Sequence, residues 1–313
     1  MNTETDTDAG TAQWDVIVVG GASAGLSAAL QLGRIRYRTL VLDHGAPRNR
    51  VAGHMHGYLG RDHTSPLDLT ADGRRELARY GVEVRSVEAE LVTGAIDDFT
   101  VRTSDGRELR ARRVLLASGA ADALPEVPGL AQYWGSGVHH CPFCDGWEYA
   151  DQRIAVLLDV PEAIHQVKLL RRLSDDVTVL TNGLEVLDPE QVALMEALGV
   201  EIDPTPLTSV QRDGDDDGGE VSPLDLEFAD GRTRRVDALF VRPTPTPRDS
   251  AVTAYDLERQ DVFGIACIAA DEMGRTSVPG LHAAGNVVNP MLSVAAAVGA
   301  GATAGYALAG ELL

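Results

Sequence analysis

Two cysteines three residues apart, Cys141-Pro142-Phe143-Cys144, are the residues of this chain best suited by type and spacing to do chemistry. Sulfurs at this spacing can close a short-loop disulfide at a helix N-terminus, a setting that lowers the pKa of one thiol. The same pair could be half of a zinc site with His139 or His140, although no second cysteine pair exists. Cys267, the remaining cysteine, stands in an apolar run and reads as a buried, inert thiol. His140, and less so His139, could move protons beside the pair. A second constellation is Gly20-Gly21-Ala22-Ser23-Ala24-Gly25, between the apolar run WDVIVV and an Ala/Leu-rich stretch. Gly20 would permit the tight turn, and Gly25 would let the helix pack closely on the strand. The helix N-terminus would offer free N–H groups to a pyrophosphate. Ala22 replaces the middle glycine of G-x-G-x-x-G. Asp43 lies 18 residues past Gly25, where a carboxylate can hold an adenosine ribose.

The elements that must position these groups alternate strand and helix, as in an α/β protein. A strand at 14–19, a helix at 22–32 and a strand at 39–42 form one βαβ unit. A helix follows at 67–80, with Leu67, Leu77 and Ala78 as inner positions. Strands are read at 82–92, 99–103 and 108–116, the last two joined by the turn Ser104-Asp105-Gly106. A linker covers 119–128. A second βαβ unit runs through a strand at 153–158, a helix at 161–173 and a strand at 177–180, and a further helix covers 191–198. The acidic run at 213–219 is a solvated loop, and Pro243, Pro245 and Pro247 make a second, extended linker. The tail holds a hairpin around 271–274, a strand at 281–284 and a final helix. The chain has 313 residues, enough for two domains. Its net charge of −20 repels nucleic acid and anionic membrane surfaces. Lys168 is the only lysine among the 27 Lys and Arg, which reads as coding bias. Three cysteines are no disulfide framework, so a reducing compartment is expected. The N-terminal ten residues show no secretory signal, and the uncharged stretch at 291–310 is too rich in Ala and Gly for a membrane span.

VIVVGGASAGLSAAL at the start, VLLASGA at 114–120 and VPGLHAAGN at 278–286 resemble the three flavin-binding segments of low-molecular-weight thioredoxin reductases. The likeness covers nearly the whole chain. It implies an α/β fold of two Rossmann-like three-layer domains. An FAD-binding domain would cover 1–117 plus 248–313, and an inserted domain, 118–247, would carry the C-x-x-C. It assigns FAD contacts to Gly20, Ala22, Ser23, Ala24, Gly25, Asp43, His44, Arg48, Ser118, Gly119, Gly285 and Asn286. In that family an Asp binds the ribityl chain where this chain has Asn286. The C-x-x-C matches the family's redox motif in sequence and in place. By the resemblance Cys144 faces the flavin, Cys141 faces the substrate, and Asp145 is the acid/base; His140, as a histidine beside the pair, is the second candidate for that role. A cytoplasmic homodimer is implied with it, and no metal.

Thioredoxin reductases carry a second glycine loop for NADPH after the strand that follows the C-x-x-C. Here IAVLL is followed by Asp159-Val160-Pro161-Glu162-Ala163, without a glycine. Asp159 and Glu162 put negative charge where a pyrophosphate would dock. The next strand lacks a basic cluster for a 2′-phosphate. A chain with a flavin, a dithiol and no nucleotide site resembles the FAD-dependent dithiol oxidases that close the disulfides of natural products such as gliotoxin and holomycin. The segment from Pro47-Arg48-Asn49-Arg50 to Arg61-Asp62 is similar to that branch as well. The expected activity is therefore oxidation of a small-molecule dithiol to its disulfide, with O2 as acceptor and hydrogen peroxide as product. The alternatives are a disulfide reductase fed by ferredoxin or by a degenerate NADPH site, and a non-catalytic flavin sensor, against which the intact CPFCDG argues.

Overall fold

The computed structural model describes residues 13–212 and 222–313. The acidic loop at 213–219 and the N-terminal ten residues lie outside them. Two compact units form. One holds residues up to Arg48, Leu67–Ala121 and Pro245–Leu313, the other Asn49–Pro66 and Asp122–Thr244.

The first unit begins with β1 (Trp14–Val19), α1 (Ser23–Arg34) and β2 (Thr39–Leu42), followed by α2 (Pro66–Arg79), β3 (Glu83–Arg85), β4 (Ala89–Ala95), β5 (Asp98–Thr103) and β6 (Glu108–Leu116). The sheet order is β3-β2-β1-β6-β5-β4, parallel from β3 to β6 and antiparallel beyond. The strand expected over 82–92 divides into β3 and β4, because its two halves pair with different partners, β2 and β5. Alternation along β1 sends Val16 and Val18 to the helical face with Leu32 and Leu77, and Ile17 and Val19 to the other face with Phe99 and Val101. In α2 only Leu77 of the three expected inner positions is buried. Leu67 and Ala78 are exposed, because they lie off the stripe of that helix which meets the sheet.

The chain crosses into the second unit within β7 (Ala120–Ala123) and continues with β8 (Val138–His139), α3 (Pro142–Asp145), β9 (Ile154–Leu157), α4 (Ile164–Leu170), β10 (Val177–Leu180), α5 (Pro189–Ala197) and β11 (Glu201–Asp203). There follow β12 (Leu207–Gln211), β13 (Leu224–Phe228), β14 (Thr233–Val236) and β15 (Ala238–Phe240), and the chain crosses back within β16 (Thr244–Pro247). A parallel sheet of order β11-β10-β9-β15-β8 has α4 and α5 on one face and the antiparallel β12-β13-β14 on the other. A capping box between Asp188 and Gln191 starts α5. The helix expected over 161–173 is shorter: a 3-10 turn at Pro161–Ala163, then α4.

The chain returns to the first unit with β17 (Arg259–Val262), β18 (Ile265–Ile268), β19 (Leu281–Ala283) and α6 (Val294–Glu311). The tail hairpin is β17–β18, turning at Phe263-Gly264. Residues 271–274 instead form a turn in which Asp271 accepts from the amides of Met273 and Arg275. β19 pairs with the second half of β6. The Ala/Gly composition of α6 has a packing cause: Gly301 and Gly305 lie against the α1 backbone at Ala24 and Ala28, where a Cβ would collide. No described helix is long and apolar enough to cross a membrane.

The expected first block, 1–117, is interrupted. Asn49–Pro66 belongs to the second unit. The Val51 backbone lies against Gly135, His56 Nε2 is 3.3 Å from Glu148 Oε1, and His54 stacks on His63 with centroids 3.9 Å apart. This segment therefore docks on Gly135 and Glu148, which flank the C-x-x-C in sequence, through contacts that no local pattern encodes.

Candidate active site

Cys141 and Cys144 are joined in a disulfide, with Cα atoms 5.1 Å apart. Cys141 caps α3, whose Pro142 occupies the first turn, where a missing N–H costs nothing. The expected helix is a single turn of four residues, so its dipole is far weaker than that of a full helix. Gly146 ends it because a Cβ there would meet Pro142 O and the Leu173 side chain. Phe143 and Trp147 stand exposed beside the disulfide, each with 76% of its surface free.

Asp145 ends α3, and its Oδ1 lies 3.4 Å from Nδ1 of His139. His139 is buried at the end of β8, and its Nε2 is 2.9 Å from the Tyr149 hydroxyl. Burial, reinforced by the Asp145 charge, pushes the Tyr149 hydroxyl up to about 12. His140, the histidine expected to assist, is exposed, with its ring tilted on Trp134 at 5.6 Å. The structure thus brings His139 to Asp145 and leaves His140 exposed. Nothing in the sequence spacing distinguishes the two. What separates them is the end of β8: His139 is its last residue, paired with Phe240 of β15, and His140 lies beyond it. Cys267 is fully buried, and desolvation raises its thiol pKa, as an inert thiol requires.

The first glycine segment has the form a dinucleotide needs. Gly20 has φ +105° and leaves no room for a Cβ against the Ala117 backbone. Ala22 is the N-cap of α1 and makes no side-chain cap bond, so the amides of Ser23 and Ala24 at the helix start receive no cap from that side chain. A cavity of about 210 Å³ opens beside this turn, lined by Gly21, Asp43, Gly45, Pro47, Leu67, Thr70, Ala71 and Arg74. Asp43, buried at the end of β2, pairs with Arg74 Nη2, a partner the sequence did not suggest. Arg74 Nε is buried and has no hydrogen-bond partner among the described residues. These groups fit the adenosine and pyrophosphate of FAD.

The other expected contacts fall on loops of the same unit. His44 Nε2 lies 3.3 Å from Arg248 Nη1, Arg48 donates to Pro290 O at 2.6 Å, and Ser118 Oγ donates to Arg248 O. Gly119 (φ +78°) accepts from Arg248 N, and Gly285 (φ +79°) opens a 3-10 turn. Asn286 Nδ2 donates to Asn289 O (3.1 Å) and Leu292 O (3.2 Å). The amide is thus part of the loop, since a carboxylate there would face two carbonyl oxygens.

After β9 the chain passes through Leu158 to Asp159, Val160 and the 3-10 turn at Pro161–Ala163, closed by Ala163 N to Val160 O. Asp159 Oδ1 is buried without a hydrogen-bond partner among the described residues. At this strand end a nucleotide-binding loop would have glycines and an open helix start; here there is a side-chain oxygen that can only accept.

Residues 14–301 match the family model described as pyridine nucleotide-disulphide oxidoreductase. The chain is 30% identical over 306 residues to a protein of Leptosphaeria maculans named thioredoxin reductase sirT, covering 93% of this chain and 92% of that one. Among solved structures it resembles an oxidoreductase from Agrobacterium tumefaciens (36% identity, TM-score 0.88, 96% and 99% of the two chains). It also resembles HlmI (38%, TM-score 0.87, 96% and 92%). With its redox disulfide, its flavin-type glycine turn and these relatives, the chain is an enzyme and belongs to the pyridine nucleotide-disulphide oxidoreductase family, on the thioredoxin reductase-like side.

Proposed function

We propose that this enzyme is an FAD-dependent dithiol oxidase that closes an intramolecular disulfide in a small-molecule dithiol, with O2 as terminal acceptor and hydrogen peroxide as product. The observation that carries this reading is the strand end after β9. It has no glycine, and it turns through Pro161–Ala163 with a buried Asp159 oxygen that has no partner among the described residues. Reducing equivalents then enter at the disulfide instead of at a nicotinamide.

In this scheme Gly20 to Gly25 with Asp43 and Arg74 hold the FAD, which when bound supplies the two-electron acceptor that returns the protein thiols to the disulfide. A substrate thiol gives its proton to Asp145 as its sulfur attacks Cys141. The Cys141–Cys144 bond breaks, and Cys144 leaves as thiolate. The second substrate thiol, its proton lost to solvent, attacks the substrate sulfur bonded to Cys141, forming the product disulfide and freeing Cys141 as thiolate. Two electrons pass to the protein pair, and two protons leave the substrate. Phe143 and Trp147 offer apolar flanks to an uncharged organic substrate.

A second reading, a disulfide reductase, is favoured by the printed names of curated relatives such as that of Leptosphaeria maculans. Anaerobic stopped-flow of the FAD-loaded enzyme separates the two. Dithiothreitol should bleach the flavin, and admitted air should restore it with release of hydrogen peroxide, while NADPH and NADH should leave it oxidised. Rapid bleaching by NADPH would return the protein to the reductases.

A further inference from the structure

His139 is held in place from every side. Its main chain pairs with Phe240 of β15, and its carbonyl accepts from Val241 N at 2.8 Å. Its ring packs on Tyr149 and Phe240, with centroids 5.2 and 5.7 Å away, and only 7% of the residue is exposed. The amide of Gly137 donates to Nε2 at 3.1 Å. A backbone amide can only donate, so Nε2 is an acceptor, and an imidazole whose Nε2 accepts carries its hydrogen on Nδ1. Tyr149, whose hydroxyl keeps its proton far above neutral pH, donates to the same Nε2. That nitrogen is the one nearer Asp145: Nδ1 and Asp145 Oδ1 are 3.4 Å apart, within ion-pair distance and short of a formed hydrogen bond. Bonds of this kind are often long before substrate arrives and shorten in the working complex.

We propose that His139 is the positioning residue of the disulfide centre: its Nδ1–H fixes the Asp145 carboxylate in the orientation from which it takes the proton of the attacking thiol. One proton moves from the thiol to Asp145 as the sulfur–sulfur bond exchanges, and no electron passes through His139. Gly137 and Tyr149 set the tautomer, as the outer partner of a catalytic histidine does elsewhere. The proposal rests on the reading of Asp145 as the acid/base of the exchange.

The test compares two amides in place of the imidazole. His139→Asn puts an N–H near the position of Nδ1 and leaves the Gly137 amide unpaired. His139→Gln puts a carbonyl oxygen near Nε2, keeps Gly137 and Tyr149 satisfied, and leaves Asp145 without its donor. The FAD-loaded enzyme is mixed anaerobically with dithiothreitol, and protein thiols are trapped and counted against time. This readout needs neither oxygen nor NADPH, so it holds whether the enzyme is an oxidase or a reductase. Asp145→Asn should slow opening of the disulfide on the order of 100-fold, His139→Gln about tenfold and His139→Asn no more than about threefold. The double variant His139→Gln/Asp145→Asn should be no slower than Asp145→Asn. Melting temperatures should rank the other way, with His139→Gln above His139→Asn, which a purely structural role would not produce. If His139→Gln is as fast as His139→Asn, or if the two losses multiply in the double variant, the proposal is overturned. If Asp145→Asn exchanges at the normal rate, the acid/base reading fails first.

Discussion

Asn286→Asp restores the residue that the thioredoxin reductase resemblance places at this position, and the structure says that it should harm this protein. The native amide nitrogen donates to Asn289 O and Leu292 O. A carboxylate can donate to neither, so two hydrogen bonds of net worth about 0.5–1.5 kcal/mol each are lost. The expected cost is about 1–3 kcal/mol, before any repulsion between the carboxylate and the two carbonyls. At roughly 2–4 °C per kcal/mol for a domain of this size, the melting temperature falls by about 2–12 °C. The loss should depend on pH. Facing carbonyls raises the folded-state pKa of the introduced carboxyl above its unfolded value. Its stability is then best at low pH, where it is protonated and can donate one bond, and is lost as pH rises through the folded pKa. Differential scanning fluorimetry of both proteins, with and without FAD, at pH 5 and pH 7.5 checks this. An unchanged melting temperature at pH 7.5, or a deficit that grows toward acid, would refute the assignment of the amide to the loop.

Gly301→Ala should cost about 1–3 kcal/mol in urea unfolding, because its Cβ would overlap the Ala24 backbone. Gly310→Ala, on the same helix with nothing within 4 Å, should gain about 0.5–1 kcal/mol, and equal effects at the two sites would count against the α1–α6 packing argument. His282 is buried, and burial lowers its pKa, so the unfolded chain binds its proton first. Stability should fall as pH drops below about 6.5 toward the folded pKa, at no more than about 1.4 kcal/mol per pH unit for this one group, and His282→Asn should flatten that limb in acid unfolding. Cys141→Ser and Cys144→Ser should both abolish dithiol-dependent hydrogen peroxide formation, and Cys144→Ser alone should trap the substrate as a mixed disulfide seen by mass spectrometry; full turnover by either variant would remove the C-x-x-C from the chemistry.

Much of this protein was readable along the chain because its signals are local. The run WDVIVV with Gly20 and Gly25 fixes a strand, a turn and a helix within twenty residues, and the C-x-x-C spacing sets its own disulfide reach. The absence of glycine after β9 is likewise visible in five letters. What the chain order concealed are pairings between distant residues. Arg74 meets Asp43 across 31 positions, and Asn49–Pro66 leaves its neighbours for the other unit through His56 and Glu148. The division of 82–92 into two strands likewise depends on partners elsewhere in the sheet. The choice between His139 and His140 was undecidable from composition, since both are histidines beside a reactive cysteine. His139 is buried because it is the last residue of β8, in register with Phe240 of β15, whereas His140 lies beyond the strand end. Local patterns record what a segment needs for itself; the orientation of a side chain toward a proton is decided by the elements packed around it.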